Sequence, residues 1–290
     1  MRFWDRLLRI DRRWIFALAG VAVTLPILVP LGLPIGTTRP TQAAFDFVEG
    51  LKPGDVVWLS FDYGPSSAPE NDPMAEGFLR HCLSRDVKVV ASTLFASGGL
   101  GLANRSVAKI AAEFPNKMYG VDYVNLGFKA GNDAVMRRAG QSILGAFPTD
   151  VTGRPVGDFP IFQGIRSLRD VKLVFTASTG DLGEYWVTLV NTQYGIPVIV
   201  GPTAVSAPKF YAYLASHQLT GMLGGMKGAA EYEQLLGRSY PALGDLYRSA
   251  RFLTATKAMD SQTGIHFVIV SLILIGNAAF FMSRLRPREI

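Results

Sequence analysis

The chain has 290 residues, of which 49% are hydrophobic and only 18% charged, with a formal net charge of +6. An average soluble chain carries about 25% charged residues, and the apolar excess here gathers near the two termini, so a uniformly soluble sequence is excluded. Much of the basic charge is terminal too: Arg2, Arg6, Arg9, Arg12 and Arg13 precede the first apolar run, and Arg284, Arg286 and Arg288 follow the second. No Lys/Arg stripe interleaved with aromatics runs through the interior, so the expected partner is membrane lipid and not nucleic acid.

The first run, Trp14–Gly36, is uncharged and long enough to cross a ~30 Å hydrocarbon core. Pro26, Pro30 and Pro34 weaken its second half as a helix, so regular helix is expected over about Arg12–Val29. The small residues of Thr41-Gln42-Ala43-Ala44 leave a cleaved signal peptide as the alternative, although the stretch is long for one.

Between the runs, short apolar β-rich segments alternate with helical patterns. Strands are predicted at Val56–Phe61, Val87–Leu94, Tyr119–Leu126, Val171–Ala177 and Ile196–Val200. Helices are predicted at Pro73–Ser84, with Asp72 as N-cap, then at Ser106–Phe114, Ala134–Phe147, Gly183–Tyr194 and Pro208–Leu236. The Pro/Gly-rich stretch 148–170 reads as a surface excursion or hairpin. Strand–helix alternation with near-continuous apolar strands predicts an α/β fold: a doubly wound, mostly parallel, Rossmann-like sheet.

The second run, Ile265–Met282, contains Asn277 and ends on a basic stop, which predicts a second membrane helix. The expected organisation is therefore a cytoplasmic N-terminus (1–13), a transmembrane helix (14–36), an extracytoplasmic α/β domain (37–262), a transmembrane helix (263–283) and a cytoplasmic C-terminus (284–290). The arginine clusters outside both helices put both termini in the cytoplasm of a cell (inner) membrane and the main domain in the periplasm or outside the cell. Small residues lie at helical spacing in each run: Ala17, Gly20 and Thr24, then Gly276, Ala279 and Ser283. With Asn277 they suggest helix packing within or between subunits. The glycines of Met222–Glu231, namely Gly224, Gly225 and Gly228, sit in a predicted helix where they cost stability, which points to close backbone packing.

Ligands of doubly wound sheets bind beyond the carboxyl ends of the strands, where strand order reverses. The polar residues expected there are Asp62, Tyr63, Ser66 and Ser67 after the first strand and Gly98 and Gly99 after the second. Ser178, Thr179 and Gly180 follow the fourth, and Thr203 the fifth. Glycine-bearing loops can offer amides to an anion, or they can be tight turns. Neither a dinucleotide fingerprint nor a P-loop is present. Asp62, Glu70 and Asp72 lack calcium-loop spacing, so no metal is assigned. The single cysteine, Cys82, excludes an intrachain disulfide, and no Cys/His spacing suggests zinc. Neither Cys82 nor His81, His217 or His266 falls on a strand-end loop, so no catalytic residue and no cofactor is assigned.

Leu51–Tyr63, Asp122–Gly127, Gly201–Pro208 and Gly221–Glu233 (GMLGGMKGAAEYE) resemble segments of a family of uncharacterised bacterial and archaeal membrane-anchored proteins. The resemblance covers about residues 31–237. It implies one integral domain and brings no catalytic residue. The functional expectation is a non-catalytic assembly or binding subunit of a homo-oligomeric or larger membrane complex. The alternative is a small-ligand receptor or enzyme using the strand-end crevice.

Overall fold

A computed structural model describes residues 10–29, 31–241 and 253–284. Arg2, Arg6, Arg9, Arg286 and Arg288 lie outside the described residues, as do Pro30 and much of the stretch leading to the second apolar run. The chain forms two compact units, Ile35–Ala255 and the combination of Met1–Pro34 with Thr256–Ile290.

The larger unit is α/β. Its sheet has six strands in the order β3-β2-β1-β4-β5-β6. They are β1 (Val56–Asp62), β2 (Lys88–Thr93), β3 (Tyr123–Phe128), β4 (Leu173–Ser178), β5 (Val198–Pro202) and the two-residue β6 (Gly221–Met222). Every pairing is parallel, with Ser60 opposite Ser92 on one side and Thr176 on the other. All seven residues of β1 are buried, as its near-continuous apolar run requires of a central strand covered on both faces. Strand order reverses between β1 and β4, as in a Rossmann-like sheet.

Helices cover both faces. After the first apolar helix α1 (Arg12–Leu28) come α2 (Arg39–Glu49), α3 (Ala68–Ser84) and α4 (Gly99–Ala111). Phe78 of α3 stacks on Phe175 of β4 at 4.4 Å between centroids. The opposite face holds one core cluster around Trp58 and Trp186. It takes residues from α5 (Asn132–Gln141), α6 (Ile143–Ala146), α7 (Leu182–Tyr185), the π-helical turn Trp186–Asn191 and α9 (Ala207–Ala215). The short α8 (Thr192–Tyr194) ends this run at Gly195, which is left-handed at φ +67°.

Three expectations are corrected here. Helix α3 begins at Ala68, not Pro73. Pro69 sits in its first turn, and the Asp72 carboxylate is taken by the Tyr63 hydroxyl and Arg105 instead of capping the helix. The predicted helix Pro208–Leu236 is three elements: α9, β6 and α10 (Gly225–Ser239). Its glycines mark the breaks. A Cβ on Gly221 would stand 2.6 Å from the Ala44 amide nitrogen, and Gly225 sits at φ +61° against Ala204. Finally, the stretch 148–170 is not only a surface excursion: Thr149 and Pro155 form an antiparallel bridge, in keeping with the hairpin alternative, and parts of the remainder pack inward. Three 3-10 turns carry Val156, Ile161 and Leu168 into the core, and Phe159, between the first two, is buried with them.

In the smaller unit, α11 (Thr254–Arg284) provides a segment, Thr254–Met282, long and apolar enough to cross a membrane. Helix α1 has 17 residues, about 26 Å at 1.5 Å per residue, so its helical length alone does not make it a span. The two helices meet closely: a Cβ on Gly264 would lie 2.8 Å from the Ala22 carbonyl oxygen. Asp260, 1% exposed, accepts the amides of Leu31, Gly32 and Leu33 at 3.0, 2.9 and 3.1 Å. Gly32 turns left-handed at φ +63° so that three successive amides converge on one carboxylate. Ala279 is buried, whereas Thr24 and Asn277 are exposed and Gly20 and Gly276 face open space.

Candidate functional site

The loops after β2 and β4, the strands on either side of β1, frame a crevice of about 420 Å³ at the strand-order reversal. One wall is the loop after β2, Leu94 to Ser97, and the other is the loop after β4, Thr179 to Asp181, continuing into Leu182 and Tyr185. Asn132, at the start of α5, completes the lining.

Beneath it lies Asp62, the last residue of β1, with no exposed surface. Its Oδ1 accepts the Leu94 amide at 2.8 Å. Its Oδ2 accepts the Trp186 indole N–H at 2.6 Å and the Thr176 hydroxyl at 3.0 Å. Burial raises the Asp62 pKa, and the hydrogen bonds it accepts, the Leu94 amide first, oppose that rise. The carboxylate thus joins the root of one wall, at Leu94, to the helix behind the other, at Trp186. The Asp62 carbonyl accepts the Thr179 amide at 3.0 Å, which adds a second tie to the β4 wall.

The loop after β1 is closed. A Cβ on Gly64 would lie 2.8 Å from Phe95 Cε1, so the ring of Phe95 covers this glycine. Tyr63 is buried, and its hydroxyl donates to Asp72 at 2.7 Å. Ser66 is exposed in the turn, and the Ser67 hydroxyl bonds back to the Gly64 carbonyl. Gly98, at φ +93°, packs on Pro65, and Gly99 leaves room for the Thr93 hydroxyl. Ser178 is buried against Gly183. Thr203 sits at the start of α9 and bonds Ser206.

Of the residues predicted from sequence, the structure therefore brings Thr179 and Gly180 to the crevice itself and sets Asp62 under its floor. Sequence reasoning missed Phe95, Ala96 and Tyr185 as lining. Asn132 follows Gly131 in the loop after β3, and it holds φ +40°, uncommon for a residue with a side chain.

The glycines Gly224, Gly225 and Gly228 lie at the start of α10. Gly224 is the residue before the helix, and a Cβ on Gly228 would meet the Leu223 backbone at 2.5 Å.

A second buried polar cluster lies under the other face of the sheet. His81 of α3 has no exposed surface and stacks on Phe45 at 4.4 Å. Its Nε2 lies 3.0 Å from Glu49 Oε1, and its Nδ1 lies 2.7 Å from the Tyr232 hydroxyl. A carboxylate only accepts, so Nε2 carries the proton and Nδ1 accepts from Tyr232. Burial pushes His81 down to about 4 against the opposing pull of Glu49. Burial raises the Glu49 carboxyl, but hydrogen bonds from Tyr240 and His81 outweigh it and leave the pKa lowered. Neighbouring Cys82 is fully buried, and burial pushes its thiol up. Among the described residues, no group of three His, Cys, Asp or Glu side chains is placed to hold a metal ion.

Comparison with models of known protein families and with curated proteins finds no match.

Proposed function

We propose that this chain is a membrane-tethered, extracytoplasmic α/β module that binds a small ligand in the crevice at the β1/β4 reversal without transforming it. It would work as a subunit of a homo-oligomeric or larger membrane complex. The carrying observation is the crevice: a sheet with the order β3-β2-β1-β4-β5-β6 opens about 420 Å³ where such sheets bind ligands. The non-catalytic part of the reading rests on what lines it. The buried nucleophile and imidazole, Cys82 and His81, belong to α3 on the opposite face, and the buried carboxylate of Asp62 is committed to holding the walls.

The tether consists of α11 together with residues 14–36, where the irregular stretch after α1 adds length to the short helix. The arginine clusters favour cytoplasmic termini and a domain outside the cytoplasm.

The deciding experiment is a thermal-shift screen of the detergent-solubilised full chain against small metabolites of every charge class, run in parallel on Ala96→Trp. Ala96 is exposed in the crevice wall, so the indole fills the space without disturbing the core. A ligand that stabilises the native chain and not the variant supports the reading; the absence of any such ligand overturns it. Orientation is read separately. Cys82 is buried and silent, so Asn116→Cys on the domain surface reports alone. An impermeant maleimide added to intact cells should label it, and labelling only after lysis would refute the assigned orientation. Native mass spectrometry in mild detergent tests the assembly, and a lone monomer at high concentration would count against it.

A further inference from the structure

If the crevice is a ligand site, as proposed above, its lining also specifies the chemistry of the ligand. Among the described residues, no lysine or arginine lines it, and the one carboxylate in its lining is Asp181. Lys209 compensates that charge at 3.1 Å, and the same ammonium donates to the Gly180 carbonyl at 2.9 Å and lies 3.4 Å from Glu184. All three N–H groups of Lys209 are therefore engaged. Among the described lining residues, a phosphate or carboxylate finds no free cation. Nor can it reach the loop after β1, because Phe95 covers Gly64. A cationic ligand finds only a carboxylate already neutralised.

What remains favours an uncharged ligand with many polar contacts. The Ser97 and Thr179 hydroxyls and the Asn132 amide each donate and accept, and Asp181 accepts. Ring hydroxyls have the same dual character. Tyr185, 40% exposed at the edge of the crevice, offers an aromatic face on which the C–H side of a saturated ring can rest, apolar body against apolar body. Asn132 is held at φ +40°, a conformation retained where the surroundings demand it. The volume suits a small ligand.

We propose that the crevice binds an uncharged, hydroxyl-rich ring: a mono- or disaccharide.

The test is isothermal titration of the full chain in a detergent without a sugar headgroup. The probes are the common hexoses, their N-acetyl derivatives and disaccharides, set against ATP, adenosine and spermidine. The expected result is binding of at least one saccharide, abolished by Ala96→Trp and weakened about tenfold or more by Tyr185→Ala or Asn132→Gly. Circular dichroism checks that the variants are folded. Saccharide binding that survives Ala96→Trp overturns the inference, as does binding confined to ATP, adenosine or spermidine. In the latter case a block by Ala96→Trp leaves the crevice standing as a ligand site of another class. No crevice-dependent binding of any probe overturns the saccharide inference, and the broader metabolite screen then decides whether the crevice binds anything.

Discussion

Asp62 and His81 are both ionisable groups with no exposed surface, one on each side of the same sheet, yet they are buried for different purposes. Asp62 is surrounded by donors from three separate segments, the Leu94 amide, Thr176 and Trp186. It fixes the walls of an open crevice. His81 is held between Glu49 of α2 and Tyr232 of α10, and it locks a closed helical layer. Burial alone therefore does not mark a functional group; what matters is whether the bonded neighbours border an opening.

The largest effect should come from Asp62→Ala, which strands two buried N–H groups and a hydroxyl at once. At about 1–3 kcal/mol for each unsatisfied group, a loss of about 3–5 kcal/mol is expected in urea unfolding of the full chain, together with loss of ligand response. A loss below about 1 kcal/mol would mean the carboxylate does not clamp the walls. His81→Phe keeps a ring on Phe45 but removes two hydrogen bonds, and about 2–3 kcal/mol should be lost at neutral pH. Its ligand response should stay intact, in contrast to Asp62→Ala.

Acid separates the clusters further. The pKa of His81 in the fold is below its unfolded value, so its contribution is present above about pH 6.5 and is lost as pH falls toward about 4. That contribution is on the order of 3 kcal/mol, and His81→Phe should flatten this part of a stability–pH curve. Asp62 acts in the opposite sense: its pKa is raised by burial, so its burial cost is relieved on acidification. Asp62→Asn should therefore steepen the loss of stability toward acid pH. Identical curves for the two variants and the native chain would break the comparison.

Gly64→Ala should cost about 1–2 kcal/mol, because the new methyl displaces the Phe95 ring, and it should alter ligand affinity through that ring. The smallest effect belongs to Arg137→Ala. Its partner Asp133 lies at 3.8 Å and both side chains are at least half exposed, so stability should stay within about 0.5 kcal/mol.

The central strands were legible in the sequence because burial on both faces demands near-continuous apolar runs; β1, β2, β4 and β5 fall within two residues of their predicted starts. The sheet edges were not. β3 starts four residues late, at Tyr123, because polar Asn125 and a register shift between Ala91 and Thr93 blur its pattern. β6 is only two residues long and hides among glycines. The loops around the crevice could be named from strand ends. The clamp could not, because Asp62 draws its side-chain partners from positions up to 124 residues away, and no local pattern encodes that. Phe95 lies just past the predicted strand Val87–Leu94, and only its position over Gly64 reveals that it closes the first loop.

The bond between Asp260 and the amides of Leu31, Gly32 and Leu33 has a consequence in time. Up to 229 residues separate the partners. At about 5–20 residues per second of synthesis, these amides wait roughly 10–50 s for their acceptor. Until then the exit from α1 has no partner at Asp260, whatever the state of the domain that follows. The last helix is thus the clasp that completes the first, and a truncated chain lacking residue 260 would carry a first helix left permanently unfastened.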